Sequence, residues 1–180
     1  MIVWLKKILG LFILLFMVNS CKKENSKIIP FDLWNEYDKN IPATIASQVY
    51  QPGDPYHGSI PDSYAIHHPH SCPGFVLSLT CAFVSTGSRY YLDSSFIPRM
   101  EAAMDYFATC QHEDGTIDLL TTNFHSTPDM AFATEPLALS YKLLSKIEQH
   151  GLFPLKSKIK NALLKAGRAL TEGGIHTPNH

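Results

Sequence analysis

A helix that closes on a glycine turn occurs twice in this 180-residue chain, each time followed by the same polar residues. Glu113-Asp114-Gly115-Thr116-Ile117 leads to Thr122-Asn123-Phe124-His125. Thr171-Glu172-Gly173-Gly174-Ile175 leads to Thr177-Pro178-Asn179-His180. Gly115 and Gly173 are 58 residues apart, and His125 and His180 are 55 apart. A helix C-terminus explains a glycine, which enters the left-handed region without a Cβ penalty. It does not explain an asparagine and a histidine recurring beyond it. A period of this size, with two helices per unit, points to stacked helical hairpins.

The hydrophobic spacing agrees. Residues 74–87 are apolar and small and read as a buried helix. Residues 95–111 place Phe96, Met100, Ala103, Met104 and Phe107 on one face, with Ser94 or Ser95 as cap and Pro98 in the first turn. A third helix, 128–150, opens at Thr127-Pro128-Asp129 and is interrupted by Pro136. A fourth, 154–172, carries Leu155, Ile159, Leu163, Ala166 and Leu170 on one face. Residues 112–127 between them read as a loop rich in Gly and Thr. Upstream, seven prolines between 28 and 73 argue against a long regular element, leaving room for a short helix near 31–38. The expected fold is all-α, with a loop-rich segment at 21–73 wrapping a helical domain at 74–180.

Residues 1–20 combine Lys6-Lys7 with an 11-residue apolar run, Ile8 to Val18. That length suits a signal-peptide core and is short of the roughly 20 residues a membrane span needs. Val18-Asn19-Ser20-Cys21 resembles a bacterial lipobox, although Asn19 departs from the usual small or apolar residue. The resemblance implies cleavage before Cys21 and lipidation of its thiol, hence attachment to the cell envelope. The competing reading is an uncleaved anchor helix. The chain's net charge is −1, and loss of Lys6 and Lys7 makes it −3. That balance argues against nucleic-acid binding. A hydrophobic fraction of 45% excludes a disordered chain.

The repeated turn, with its Thr121-Thr122-Asn123-Phe124-His125 and Thr177-Pro178-Asn179-His180 loops, resembles the (α/α) toroids of carbohydrate-active enzymes. The likeness is to polysaccharide lyases, including heparinase II/III-like proteins, and spans about residues 60–180. It implies a toroid assembled from several hairpins, of which this chain supplies two. It therefore also implies a fragment of a larger enzyme, inactive alone. The substrate would be an acidic polysaccharide cleaved by β-elimination. Asn123, His125, Asn179 and His180 would serve as catalytic residues. An amide or imidazole can neutralise the uronate and stabilise the enolate-like intermediate, and a histidine or tyrosine can move the proton.

Other clusters compete for the same role. His67, His68, His70 and Cys72 fall within six residues and could hold zinc. No fourth distant ligand is identifiable, so no metal or cofactor is expected. A substrate-binding role for the three histidines beside Tyr64 is the alternative. Arg89 and Tyr90 are candidates for a carboxylate clamp and a sugar platform. The acidic set Asp114, Asp118, Asp129 and Glu135 would suit a toroid hydrolase, which needs two facing carboxylates. Asp114 and Asp129 also have plain turn and cap roles. A non-catalytic surface glycan-binding protein is the third reading. Lys156, Lys158, Lys160 and Lys165 read as a solvated helix face.

Cys21→Ala is expected to leave the protein unlipidated and released from membranes. Fractionation of cells expressing the variant checks this, and unchanged membrane association would favour the anchor helix.

Overall fold

The computed structural model describes residues 31–149 and 151–173. The leader, Cys21, Asn179 and His180 lie outside them. The described residues form helices α1 (Phe31–Ala46), α2 (Ser71–Val84), α3 (Phe96–Cys110), α4 (Thr127–Leu144) and α5 (Leu152–Glu172). A short antiparallel ribbon, β1 (Ile117–Leu119) and β2 (Asn123–Ser126), precedes α4. The chain is therefore mostly helical, in keeping with an all-α class.

Several boundaries differ from the sequence expectation. α1 runs for 16 residues and continues through Pro42, which faces solvent. The proline-rich stretch thus contains a full helix, because its prolines cluster after residue 50. α2 starts at Ser71 rather than 74 and stops at Val84. α4 passes through Pro136 but ends at Leu144, where Lys146 and Ile147 N–H turn back to the carbonyls three residues earlier. The ribbon stands where a plain loop was expected.

α2 packs against α1, α3 and α4, and α5 packs against α3 and α4. α2 is apolar on nearly every side, as a helix with three helical neighbours must be, and buries Cys72, Phe75, Val76, Leu79, Ala82 and Phe83. α5 buries one stripe, Leu152, Leu155, Ile159, Ala162, Ala166 and Ala169. Ala162 and Ala169 join Leu155, Ile159 and Ala166 of the expected face, with Leu163 partly buried beside them and Leu170 exposed, since a close backbone approach favours small side chains there.

That approach is made by a glycine turn. Gly115, at φ +87°, sits so close to α5 that a Cβ would stand 2.1 Å from the Lys165 carbonyl oxygen. Gln111 fastens the contact: its Nε2 donates to Gly115 O and to Ala162 O, each at 3.1 Å. The same device occurs one unit earlier. Gly58, at φ +95°, would place a Cβ 2.0 Å from Ala102 O on α3. Gln48 Nε2 donates to Gly58 O at 3.3 Å and to Arg99 O at 2.9 Å. Gln48 and Gln111, Arg99 and Ala162, and Ala102 and Lys165 are each 63 residues apart. This 63-residue register of helices differs from the 58-residue spacing of Gly115 and Gly173, since it pairs Gly173 with Cys110 at the end of α3.

Gly115→Ala is expected to cost at least about 2 kcal/mol, combining a left-handed backbone with a clash against backbone. Gly167→Ala, in a helix with nothing within 4 Å of its Cβ position, should stabilise by about 0.5–1 kcal/mol. Urea unfolding of the two variants checks both signs.

Candidate active site

The turn after α3 builds the site. Asp114 accepts at Oδ1 from Thr116 N–H (2.9 Å) and from Thr116 Oγ1 (2.6 Å). Its other oxygen meets His125 Nδ1 at 2.8 Å. The Thr116 hydroxyl first, then its N–H and His125, outweigh partial desolvation and hold the Asp114 carboxyl down at about 2. Beside it, burial would raise Asp118, but the His125 N–H and His112 outweigh burial and bring it below the ordinary carboxylate range. The distances are 2.7 Å from His125 N and 2.8 Å from His112 Nε2. The rings of His112 and His125 stack at 3.8 Å with 17° between their planes.

His125 is delivered by a bulge. Ile117 pairs with Ser126 and Leu119 with Asn123, so β2 carries one residue more than β1 across this interval. The extra residue is absorbed at His125, whose φ is +50°. Such a conformation costs on the order of 1–3 kcal/mol and persists only when the surroundings enforce it. Bulges often re-aim a side chain beside a functional site. Here the side chain keeps 47% of its exposure while Nδ1 is held by Asp114, which leaves Nε2 as the nitrogen for a ligand.

The turn after Gly58 carries a related arrangement. Ser59 Oγ meets His67 Nδ1 at 2.8 Å, and His67 stacks on Tyr56 at 3.9 Å. His68, only 4% exposed, accepts Leu120 N–H at Nδ1 (3.3 Å) and lies 3.8 Å from Asp62 through Nε2. It therefore joins the two turns. His70 lies 5.1 Å from His68 ring to ring. Partial desolvation, then the His68 charge, lower its basicity. Between the turns is a cleft of about 250 Å³ lined by Pro69, Thr109, Cys110, His112, Asp118 and Leu120.

The structure thus brings His67, His68 and His70 to the same end as His125, with Tyr64 exposed at a loop tip. Asn123 is turned inward at 9% exposure, and its amide donates to Asp129 Oδ2 at 3.3 Å. Asp129 with Ser126 caps α4, as its capping role anticipates. Glu135 lies two turns along α4. Arg89 and Tyr90 are not near this cleft. They sit in the α2–α3 turn, separated from it by the length of α2, about 21 Å. There Asp38 accepts from Arg89 N–H (2.8 Å) and Ser88 Oγ (2.7 Å), tying α1 to that turn, and Tyr90 packs on Phe96.

Cys72 is fully buried in the core, and burial pushes its thiol far above the ordinary range. It therefore does not join the neighbouring histidines as a ligand. Among the described residues, no group of three His, Cys, Asp or Glu is arranged to hold a metal ion. His112 and Asp62 were not singled out from the sequence. Neither belongs to a linear motif, and only the fold carries them to His125 and His68. No protein-family model, curated protein or solved structure matches the chain.

Thr116→Val removes the main cause of the low Asp114 value, so the carboxyl should rise toward the ordinary value of about 3.9. Because the folded value is depressed, this contact stabilises fully above that ordinary value and loses its effect as pH falls toward 2. NMR titration of the Asp114 carboxyl in both proteins checks the shift. The stability gap between them should close over the same interval.

Proposed function

We propose that this chain is a carbohydrate-active protein of the cell envelope whose proton-transferring group is His125. The reaction is β-elimination in a uronic-acid-containing glycan. The carrying observation is the 2.8 Å contact between His125 Nδ1 and Asp114 Oδ2, made by a carboxylate held ionised. An ionised partner fixes the imidazole tautomer and supports positive charge on the ring as Nε2 takes a proton. His67 and His70, near the cleft, would donate to sugar hydroxyls or to the uronate, while buried His68 would hold the two turns together. Asn123 positions the loop through Asp129.

Two further observations support the toroid resemblance. The C-terminal end of α3 is held against the middle of α5 through Gln111 and Ala162. The clamp recurs at a 63-residue interval, as stacked helical hairpins require. Lipid attachment at Cys21 would hold the domain at the membrane.

Asp114 and Asp118 do not suit the protonated-acid role of a hydrolase. A hydrolase needs one carboxyl kept protonated, whereas Asp114 and Asp118 are both lowered. With no Lys or Arg in residues 51–70 or 112–129, a bound uronate must be met by imidazole and N–H groups.

The test is incubation of uronate polysaccharides with this chain joined to the further hairpins that the toroid resemblance implies, the 180 residues alone being expected to be inactive, following the ultraviolet absorbance of unsaturated uronide ends. His125→Ala should cut the rate roughly a hundredfold or more, and Asp114→Asn should lower it as well. Circular dichroism should not change. Undiminished activity in His125→Ala, or reducing ends released without the absorbance, overturns the reading.

A further inference from the structure

The outer side of α5 combines two features that a purely solvated face does not need together. Phe153 is 80% exposed and Leu164 is 63% exposed, among the most exposed large apolar side chains described. They are 11 residues apart, close to three full turns, so they lie on one line about 16 Å long. Lys160 and Arg168 fall on the same line, and all four residues fit within about 80° of arc. This line is directly opposite the buried stripe of Leu152, Leu155, Ile159, Ala162, Ala166 and Ala169.

The charges of α5 divide into two groups. Lys156 is spent on the Ile147 carbonyl and Lys158 on Asp105. Lys160, Lys165 and Arg168 make no ion pair among the described residues. Glu172, in the last turn, is the helix's one acidic residue. The result is a 21-residue helix with unpaired cations flanking exposed phenylalanine and leucine. Sequence alone shows the lysines but not that a phenylalanine shares their face.

We infer that this face of α5 docks on an anionic lipid bilayer. Phe153 and Leu164 enter the headgroup boundary while Lys160, Lys165 and Arg168 meet lipid phosphates. An interfacial helix is recognised by this pairing of an apolar line with basic flanks. Each basic residue near an anionic surface adds only a modest attraction, so three cations give weak, reversible contact that a separate anchor would make persistent. The second glycine turn, which borders the cleft, seats on the C-terminal half of α5 at Lys165. Docking along α5 therefore sets the height and tilt of that cleft above the membrane.

The full chain is mixed with vesicles of phosphatidylglycerol or of phosphatidylcholine, and lysines are acylated and read by mass spectrometry. Because the readout is site-specific, association through the leader or a lipid at Cys21 does not imitate it. Lys160 and Lys165 should react about fivefold more slowly on phosphatidylglycerol than on phosphatidylcholine, while Lys39 on α1 reacts equally on both. The protection should vanish in about 1 M salt, where the screening length is near 3 Å. It should also vanish in Phe153→Ser/Leu164→Ser, whose two sites contribute little to the core. Equal labelling on the two vesicles overturns the inference, as does protection that survives the double substitution. Equal protection by soluble heparin would assign the cations to a polyanion and overturn it too.

Discussion

The seating of a glycine turn on the backbone of the next helix is the contact on which this fold depends. Gly115 and Gly58 each bring chain to within a distance no side chain allows, and a glutamine closes the gap by bonding turn and helix at once. The glutamines are buried at 7% exposure, so an unmet amide there would carry the full desolvation cost. The clamp fixes the end of α3 against α5, and with it the start of the ribbon. The ribbon in turn decides where its extra residue falls and hence where His125 points. Packing of helices and presentation of the imidazole are thus consecutive effects of one contact.

The cleft end of the molecule has an unusual charge pattern. Around the cleft, Asp114 and Asp118 are engaged by N–H, hydroxyl and imidazole groups, and the side chains that meet them are histidine and threonine. Such a site is tuned by hydrogen bonds more than by fixed opposite charges. Asp114 and Asp118 share His125 between them, one through Nδ1 and the other through the backbone N–H. The ring is therefore restrained in both orientation and tautomer before any ligand arrives.

Helical character was legible because the apolar spacing over α3 and the Gly ends of α3 and α5 are local signals. α1 was underread because proline density was averaged over 28–73, whereas only Pro42 falls inside the helix and it faces solvent. On α5 the expected face holds at Leu155, Ile159 and Ala166 and in part at Leu163, while hydrophobicity favoured exposed Leu170 over the alanines at 162 and 169. At the site, His125 was visible from its recurrence. Its partner Asp114 was visible only as a turn residue, and His112 not at all. Arg89 and Tyr90 looked like ligand groups by residue type, although chain order already sets them at the opposite end of α2 from His67 to His70. The Gln–Gly clamp is not a linear motif, since Gln and Gly are ten residues apart in the first turn and four in the second, six fewer.

Those six residues show what the clamp leaves free. Gln48 and Gly58 hold the same positions on their helix as Gln111 and Gly115, although the chain between them is much longer. The segment between clamp residues is therefore a cassette: its length and composition can change while both ends stay anchored to the helical frame. The first cassette holds Tyr56 and the second His112, the two rings on which His67 and His125 stack. Variation confined to these short inserts would exchange the aromatic surface offered to a ligand without reopening the core. The scaffold and the chemistry of its rim can thus diversify at separate rates.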